Sequence, residues 1–260
     1  MTGFIGGGNM AEALIKGMVS HGMRDIMVSE PREERRDYLK KTYGVKTSAS
    51  NLDTVKSCRI IILAVKPQQM AAVLDEIKDY VTEDKAVVSI AAGITLSFLQ
   101  SRLSTKKIVR VMPNVCALAG EGMSVISLCE CFSDKDIGII RDIFMSVGKV
   151  LTLPERQIDA VTALSGSGPA FIALFLEAMI EAGVRLGLRE DDAFSLASQT
   201  LLGTAALIDG GMPPRRLREM VTSPGGTTAE GLKVFNEKGL GAIVAEAMEA
   251  AEKRARELAK

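Results

Sequence analysis

The chain has 260 residues, 47% hydrophobic and 25% charged, a balance that suits two modest globular domains or one large one and excludes a disordered chain. Lysine plus arginine equals aspartate plus glutamate at 32 each, so no net field draws the protein to nucleic acid or to an anionic membrane. The four cysteines (Cys58, Cys116, Cys129, Cys131) have no CxxC or zinc-type spacing, which points to reduced thiols, a cytoplasmic setting and no metal site. The start, "MTGFIGGGNM", has neither the basic flank nor the apolar run of a signal peptide. The most apolar stretch, residues 169–176, meets Glu177 and is too short to span a bilayer.

From the first residue to about 150, short apolar runs alternate with segments of helical spacing. The runs lie at 3–6, 26–29, 59–65, 86–90, 108–112 and 123–127, and the helical segments at 10–19, 32–43, 68–80 and 134–147. Strand and helix in alternation predict an α/β fold, a parallel sheet doubly wound with helices. Between the first two strands stands Gly6-x-Gly8-x-x-Ala11, a G-x-G-x-x-A. Gly6 permits a tight turn, Gly8 lets backbone approach a pyrophosphate, and Ala11 lets helix pack closely on strand. A lone glycine pattern is weak, but this one ends a strand and opens a helix, as a Rossmann-type dinucleotide site requires.

The second strand ends "VSEPREERR". Glu30 suits a ribose 2′-hydroxyl and so NADH, whereas Ser29, Arg32, Arg35 and Arg36 suit a 2′-phosphate. NADPH is the favoured cofactor, with NADH as the alternative.

Beyond about residue 155 the strand signals stop, and helices are predicted at 168–186, 191–208, 228–235 and 241–258. The expected division is a dinucleotide-binding domain over 1–153 and an all-helical domain over 154–260. The first of these helices is apolar on every side over residues 170–176, which calls for burial on all faces. About 105 residues of helix cover it poorly alone, so a second copy of the chain is the expected cover, giving a homodimer or a higher homo-oligomer.

Four stretches fall near strand ends or at the start of the helical half: "LAVKPQ", "SIAAGIT", "RVMPN" and "LSGSGPAF". Together with "SPGGTT" at 223–228, this ordered set resembles pyrroline-5-carboxylate reductases, which complete proline synthesis. The resemblance runs the whole length of the chain. It implies an N-terminal Rossmann-type domain for NAD(P)H followed by a helical dimerisation domain. By that resemblance Gly6, Gly7, Gly8, Asn9 and Met10 line the pyrophosphate. Ser29, Pro31 and Arg32, with Asn51, flank the adenosine ribose, and Val65, Lys66, Pro67 and Ala92 lie along the nicotinamide half. The substrate side falls on Glu155, Ser223, Gly225, Gly226, Thr227 and Thr228. Met220 stands where a member of the family has Asn.

Chemistry supports those assignments. Thr227 and Glu230 fit a capping box, S/T-x-x-E, and so a helix N-terminus whose unpaired amides suit a carboxylate. The expectation is a small-molecule imine whose carboxylate meets the amides of 226–228, with Thr228 supplying or relaying the proton. His21, the single histidine, ends the first helix beside Gly22 and suits a surface or capping role. Related hydroxyacid dehydrogenases carry a lysine a turn into the helix after a "GSG"-like segment, and this chain has Ile172 there. Alternatives are a reductase of another small imine or of a hydroxyacid, and a dinucleotide-binding regulatory protein without turnover.

Overall fold

Residues 60–63 read Ile-Ile-Ile-Leu and are buried throughout, the composition of a central parallel strand covered on both faces. A computed structural model describes residues 1–129, 132 and 134–258, the side chains of residues 134 and 135 aside. The chain divides into one unit of Met1–Ser167 with Ala250–Lys260 and a second of Gly168–Glu249.

The first unit holds one eight-stranded sheet: β1 (Thr2–Ile5), β2 (Ile26–Ser29), β3 (Lys46–Ser48), β4 (Ile60–Leu63), β5 (Ala86–Ser89), β6 (Ile108–Met112), β7 (Gly122–Leu128) and β8 (Gly148–Thr152). The order is β3-β2-β1-β4-β5-β6-β7-β8. The strands from β3 through β6 pair parallel, β7 runs antiparallel to β6, and β8 is parallel to β7. Helices α1 (Asn9–Ser20), α2 (Glu33–Tyr43), α3 (Asn51–Ser57), α4 (Pro67–Ile77), α5 (Leu96–Gln100), α6 (Asp134–Met145) and α7 (Ile158–Val161) accompany it.

Alternation along each strand supplies two cores. Ile60 and Ile62 join Leu14, Ile15, Leu39 and Phe144 in one cluster, while Ile61 and Leu63 join Met70, Leu74, Ile77 and Leu99 in the other. Helices therefore cover both faces, and the expected doubly wound arrangement is what forms. The sequence reading omitted β3, β8, α3, α5 and α7. β3 has three residues and an exposed start, and β8 leaves Leu151 half exposed, so neither carries a clear apolar signal. His21 closes α1 as expected, its Nδ1 2.9 Å from the Gly17 carbonyl. The expectation of reduced thiols fails at Cys129, which is disulfide-bonded, because spacing alone carries no redox state. Cys58 and Cys116 are free, burial pushes the Cys58 thiol up to about 11, and Cys131 lies outside the described residues.

In the second unit the helices are α8 (Gly168–Arg185), α9 (Glu190–Asp209), α10 (Pro214–Met220), α11 (Thr227–Glu237) and the greater part of α12 (Leu240–Leu258). The sequence reading omitted α10, which opens on a proline at the first helical position. Phe175 of α8 and Phe235 of α11 pack with ring centroids 6.1 Å apart. Yet no residue of α8 is buried, and Leu174 is 66% exposed. By length and composition residues Glu155–Arg185 are apolar enough to cross a membrane, so ending the apolar stretch at Glu177 was too strict. Ser167 interrupts that run before α8 begins, and Glu177, Glu181 and Arg185 stand exposed along α8. Each such charge costs about 3 kcal/mol at a bilayer centre.

Phe144 is fully buried in the cluster shared with Leu14 and Ile62. Phe144→Ala is expected to destabilise the protein by about 3–5 kcal/mol, read from the shift of a urea unfolding midpoint at unchanged slope.

Candidate active site

The turn from β1 into α1 leaves no room for a side chain at Gly6 and open space at Gly8. Gly6 has φ +96°, and a β-carbon there would lie 2.7 Å from the Ala64 carbonyl oxygen. Ala11, 1% exposed, lets α1 sit close to the sheet. Gly8 is the N-cap of α1 with extended backbone and no side-chain cap, and a β-carbon there would meet nothing within 4 Å. The amides of Asn9, Met10 and Ala11 occupy the positions that a helix leaves without carbonyl partners. A helix start with free amides, a positive dipole end and open space in front fits the diphosphate of a dinucleotide. Of the five residues expected there, two have amides already engaged: Gly6 N–H donates to the Ser29 carbonyl at 2.9 Å and Gly7 N–H to Glu30 Oε2 at 3.0 Å.

At the end of β2, Glu30 is 5% exposed, and its Oε1 also accepts from Arg32 N at 3.1 Å and Arg32 Nε at 2.8 Å. Burial raises the Glu30 carboxyl, but hydrogen bonds from Arg32 and Gly7 and the Arg32 charge outweigh it and hold the group below the ordinary range. Glu30 is thus turned inward, away from the ribose role available to it in sequence. Arg35 leaves the expected 2′-phosphate cluster as well, because its Nε donates to the Gly7 carbonyl at 2.6 Å. Arg36 bonds the carbonyls of Glu30 and Pro31 at 2.9 and 2.7 Å. Arg32 and Pro31 are exposed. Ser29 is 1% exposed and donates to Asn51 Oδ1 at 2.7 Å, so these two residues meet directly.

Val65, Lys66 and Pro67 form the turn from β4 into α4, with Lys66 as N-cap and Pro67 as the first helical residue. Val65 is half-buried and Lys66 exposed. Ala92, half-buried, lies in the β5–α5 loop. That loop is tied by Glu155, whose Oε1 accepts from Leu96 N at 2.7 Å and from Arg110 at 3.1 Å. Arg110 is 4% exposed and also lies 3.9 Å from Asp159. The stretch "RVMPN" contains Arg110 and Asn114, to which the sequence reading gave no role, although an arginine inside an apolar strand signals an acidic partner. Asn114 donates to the Ser165 carbonyl at 3.1 Å in a π-helical turn, Thr162–Gly166.

In the second unit, Ser223, Gly225, Gly226, Thr227 and Thr228 are contiguous at the start of α11. The expected capping box does not form. Gly226 is the N-cap and Thr227 the first helical residue, so the Thr227 hydroxyl lies one position too late to cap. Gly226 N donates to the Ser223 carbonyl at 3.0 Å, which removes it from the expected amide set and leaves Thr227, Thr228 and Ala229 as the free end of the helix. Gly225 turns with φ +69°, and a β-carbon on Gly226 would collide with Ser223 Oγ. Thr228 is half-buried and Thr227 exposed.

A mostly parallel sheet with a glycine turn at the carboxyl end of its first strand defines a Rossmann-type dinucleotide-binding fold, and its relatives make it an NAD(P)-dependent oxidoreductase. Residues 1–93 match the family model described as "NADP oxidoreductase coenzyme F420-dependent", and residues 155–258 the one described as "Pyrroline-5-carboxylate reductase dimerisation". A pyrroline-5-carboxylate reductase from Synechocystis is 40% identical over 99% of this chain and 98% of its own. The structure of a pyrroline-5-carboxylate reductase from Coxiella burnetii is 36% identical, covers 100% of this chain and 98% of its own, and superposes with a TM-score of 0.94. That of the Plasmodium falciparum pyrroline carboxylate reductase, with NADP bound, is 31% identical over 100% and 98%, with a TM-score of 0.88. The chain belongs to the pyrroline-5-carboxylate reductase family.

The two outer glycines of the turn should fail differently. Gly6→Ala meets both a positive φ and the Ala64 carbonyl, and is expected to lower the melting temperature. Gly8→Val points into open space, and is expected to cost no more than about 1 kcal/mol at the helix cap while abolishing NADPH binding in a fluorescence titration.

Proposed function

We propose that this chain reduces the C=N bond of 1-pyrroline-5-carboxylate to give L-proline, the closing step of proline biosynthesis. The observation that carries the reading is 40% identity to a pyrroline-5-carboxylate reductase over 99% of the chain. NAD(P)H, when bound, supplies the hydride that reduces the imine carbon. The Gly6–Met10 segment seats the diphosphate, and Ser29, Pro31, Arg32 and Asn51 border the adenosine ribose. Val65, Lys66, Pro67 and Ala92 border the nicotinamide. Arg32 and Arg36 beside a buried Glu30 favour NADPH, since they leave the 2′-phosphate cationic neighbours and no competing exposed carboxylate.

Substrate binding is assigned to the helix start at Ser223–Thr228 in the second unit, while Glu155 in the first ties the β5–α5 loop. The substrate carboxylate takes the helix-end amides of Thr227, Thr228 and Ala229, with Gly225 and Gly226 keeping side chains out of its way and Ser223 beside it. Thr228 Oγ1 gives or relays the proton that the ring nitrogen gains as hydride reaches the neighbouring carbon. An imine already holds the unsaturation and protonates easily, so no lysine or histidine base is required. Holding the imine in one orientation is the larger contribution.

We assign the apolar surface of α8 to a second copy of the chain, making the protein a homodimer or a higher homo-oligomer in the cytoplasm. The match of residues 155–258 to a dimerisation domain supports this, as do the exposed charges of α8, which suit a protein interface better than a bilayer.

Oxidation of NADPH and NADH by the purified protein with 1-pyrroline-5-carboxylate tests the activity, beside a panel of hydroxyacids run in reverse. Turnover is expected with the imine alone and faster with NADPH. Thr228→Ala is expected to lower kcat about 100-fold. Reaction with a hydroxyacid instead would reassign the substrate. The assembly is tested by Leu174→Lys. At an ordinary exposed site such a change moves stability by less than about 0.5 kcal/mol. Here sedimentation is expected to show monomers and calorimetry a lower melting temperature.

A further inference from the structure

Gly6 to Gly8 are three glycines in a row, and glycine loses more conformational freedom on ordering than any other residue. Rotation of the Gly7–Gly8 peptide would swing a carbonyl toward the seat of an anionic diphosphate and withdraw an amide. Both polar groups of Gly7 are nevertheless held by side chains. Glu30 takes the N–H at 3.0 Å, and Arg35 Nε donates to the carbonyl at 2.6 Å.

Arg35 is itself fixed. Its other nitrogen lies 2.5 Å from Glu12 Oε2 on α1 and 3.5 Å from the Gly8 carbonyl. Glu12 Oε1 accepts from the hydroxyls of Tyr38 and Tyr43 at 2.8 and 2.7 Å. The Arg35 and Glu12 side chains are only 18% and 19% exposed. Burial pushes the Glu12 carboxyl up, but hydrogen bonds from Tyr43, Tyr38 and Arg35 outweigh it and hold Glu12 charged. Side chains from α1 and α2 thus brace Arg35, which reaches the Gly7 carbonyl that the G-x-G-x-x-A pattern leaves unattended.

We propose that Arg35, braced by Glu12, Tyr38 and Tyr43, is a positioning residue for the cofactor. It holds the Gly7 peptide so that the amides at the start of α1 face the diphosphate before NAD(P)H arrives. The saving is in ordering entropy, and it applies to NADPH and NADH alike because both carry the same diphosphate. The inference rests on the reading of this turn as the diphosphate seat, which Gly8→Val tests separately.

The experiment measures dissociation constants of NADPH and NADH by nicotinamide fluorescence for the wild type, Arg35→Ala, Arg35→Lys, Glu12→Gln and Arg32→Ala. Melting temperatures and hydrogen exchange at the turn are followed in parallel. Arg35→Ala is expected to weaken both cofactors about tenfold, with faster exchange at Gly7 and Gly8 and kcat retained at saturating cofactor. Arg35→Lys should recover part of the loss, since it keeps the charge toward Glu12 but not the planar fork. Arg32→Ala should weaken NADPH alone. Loss confined to NADPH in Arg35→Ala would make Arg35 a 2′-phosphate contact and overturn the proposal. A lower melting temperature with both constants unchanged would also overturn it. If Arg35→Ala does not fold, Arg35→Lys and Glu12→Gln decide by the same two constants.

Discussion

Where β1 ends, Gly6 turns with φ +96° and brings its backbone within van der Waals reach of the Ala64 carbonyl at the end of β4. That contact sets how closely the first two central strands deliver their loops to one another. β1 and β4 are also where the strand order reverses, from β3-β2-β1 on one side to β4-β5-β6 on the other. Ligands of open parallel sheets lie in the crevice such a reversal leaves. The glycine run, the β2 acidic end and the β4–α4 turn therefore share one edge of the sheet, and none could move far without clashing or losing hydrogen bonds.

The helical unit obeys a different constraint. Its helices bury only Ala193 and Ala197 within the chain, while α8 keeps Phe171, Leu174 and Phe175 substantially exposed. Isolated helices draw most of their stability from a packed apolar face. A unit that leaves that face open gains stability from whatever covers it, so in the proposed homo-oligomer folding and assembly are coupled. The first unit, with two filled cores, has no such dependence.

Long periodic elements were legible in the sequence, as was the glycine turn with its strand and helix context. The short elements were not. β3 and α5 contain three and five residues, too few for a periodicity to emerge. The site was legible in position more than in detail. Thr227-x-x-Glu230 satisfies the letters of a capping box, yet the preceding glycine takes the cap because Ser223 already orders the turn ahead of it. Arg32, Arg35 and Arg36 are spaced to share one helix face, but their partners lie 23 and 28 residues away at Glu12 and Gly7, or in the strand end itself. Such tertiary hydrogen bonds leave no trace in local spacing. Arg110 is the opposite case: its charge inside an apolar strand announced an acidic partner, and the half-buried Glu155 is that partner.

The empty space in front of Gly8 has a consequence for inheritance. A side chain there would disturb no packing, so the altered polypeptide would mature normally and pass cellular quality control. In the proposed assembly of identical subunits it would join wild-type neighbours and dilute them with copies unable to bind cofactor. With the diphosphate seated as proposed, a substitution at residue 8 is inherited as a defect of chemistry and one at residue 6 as a defect of abundance.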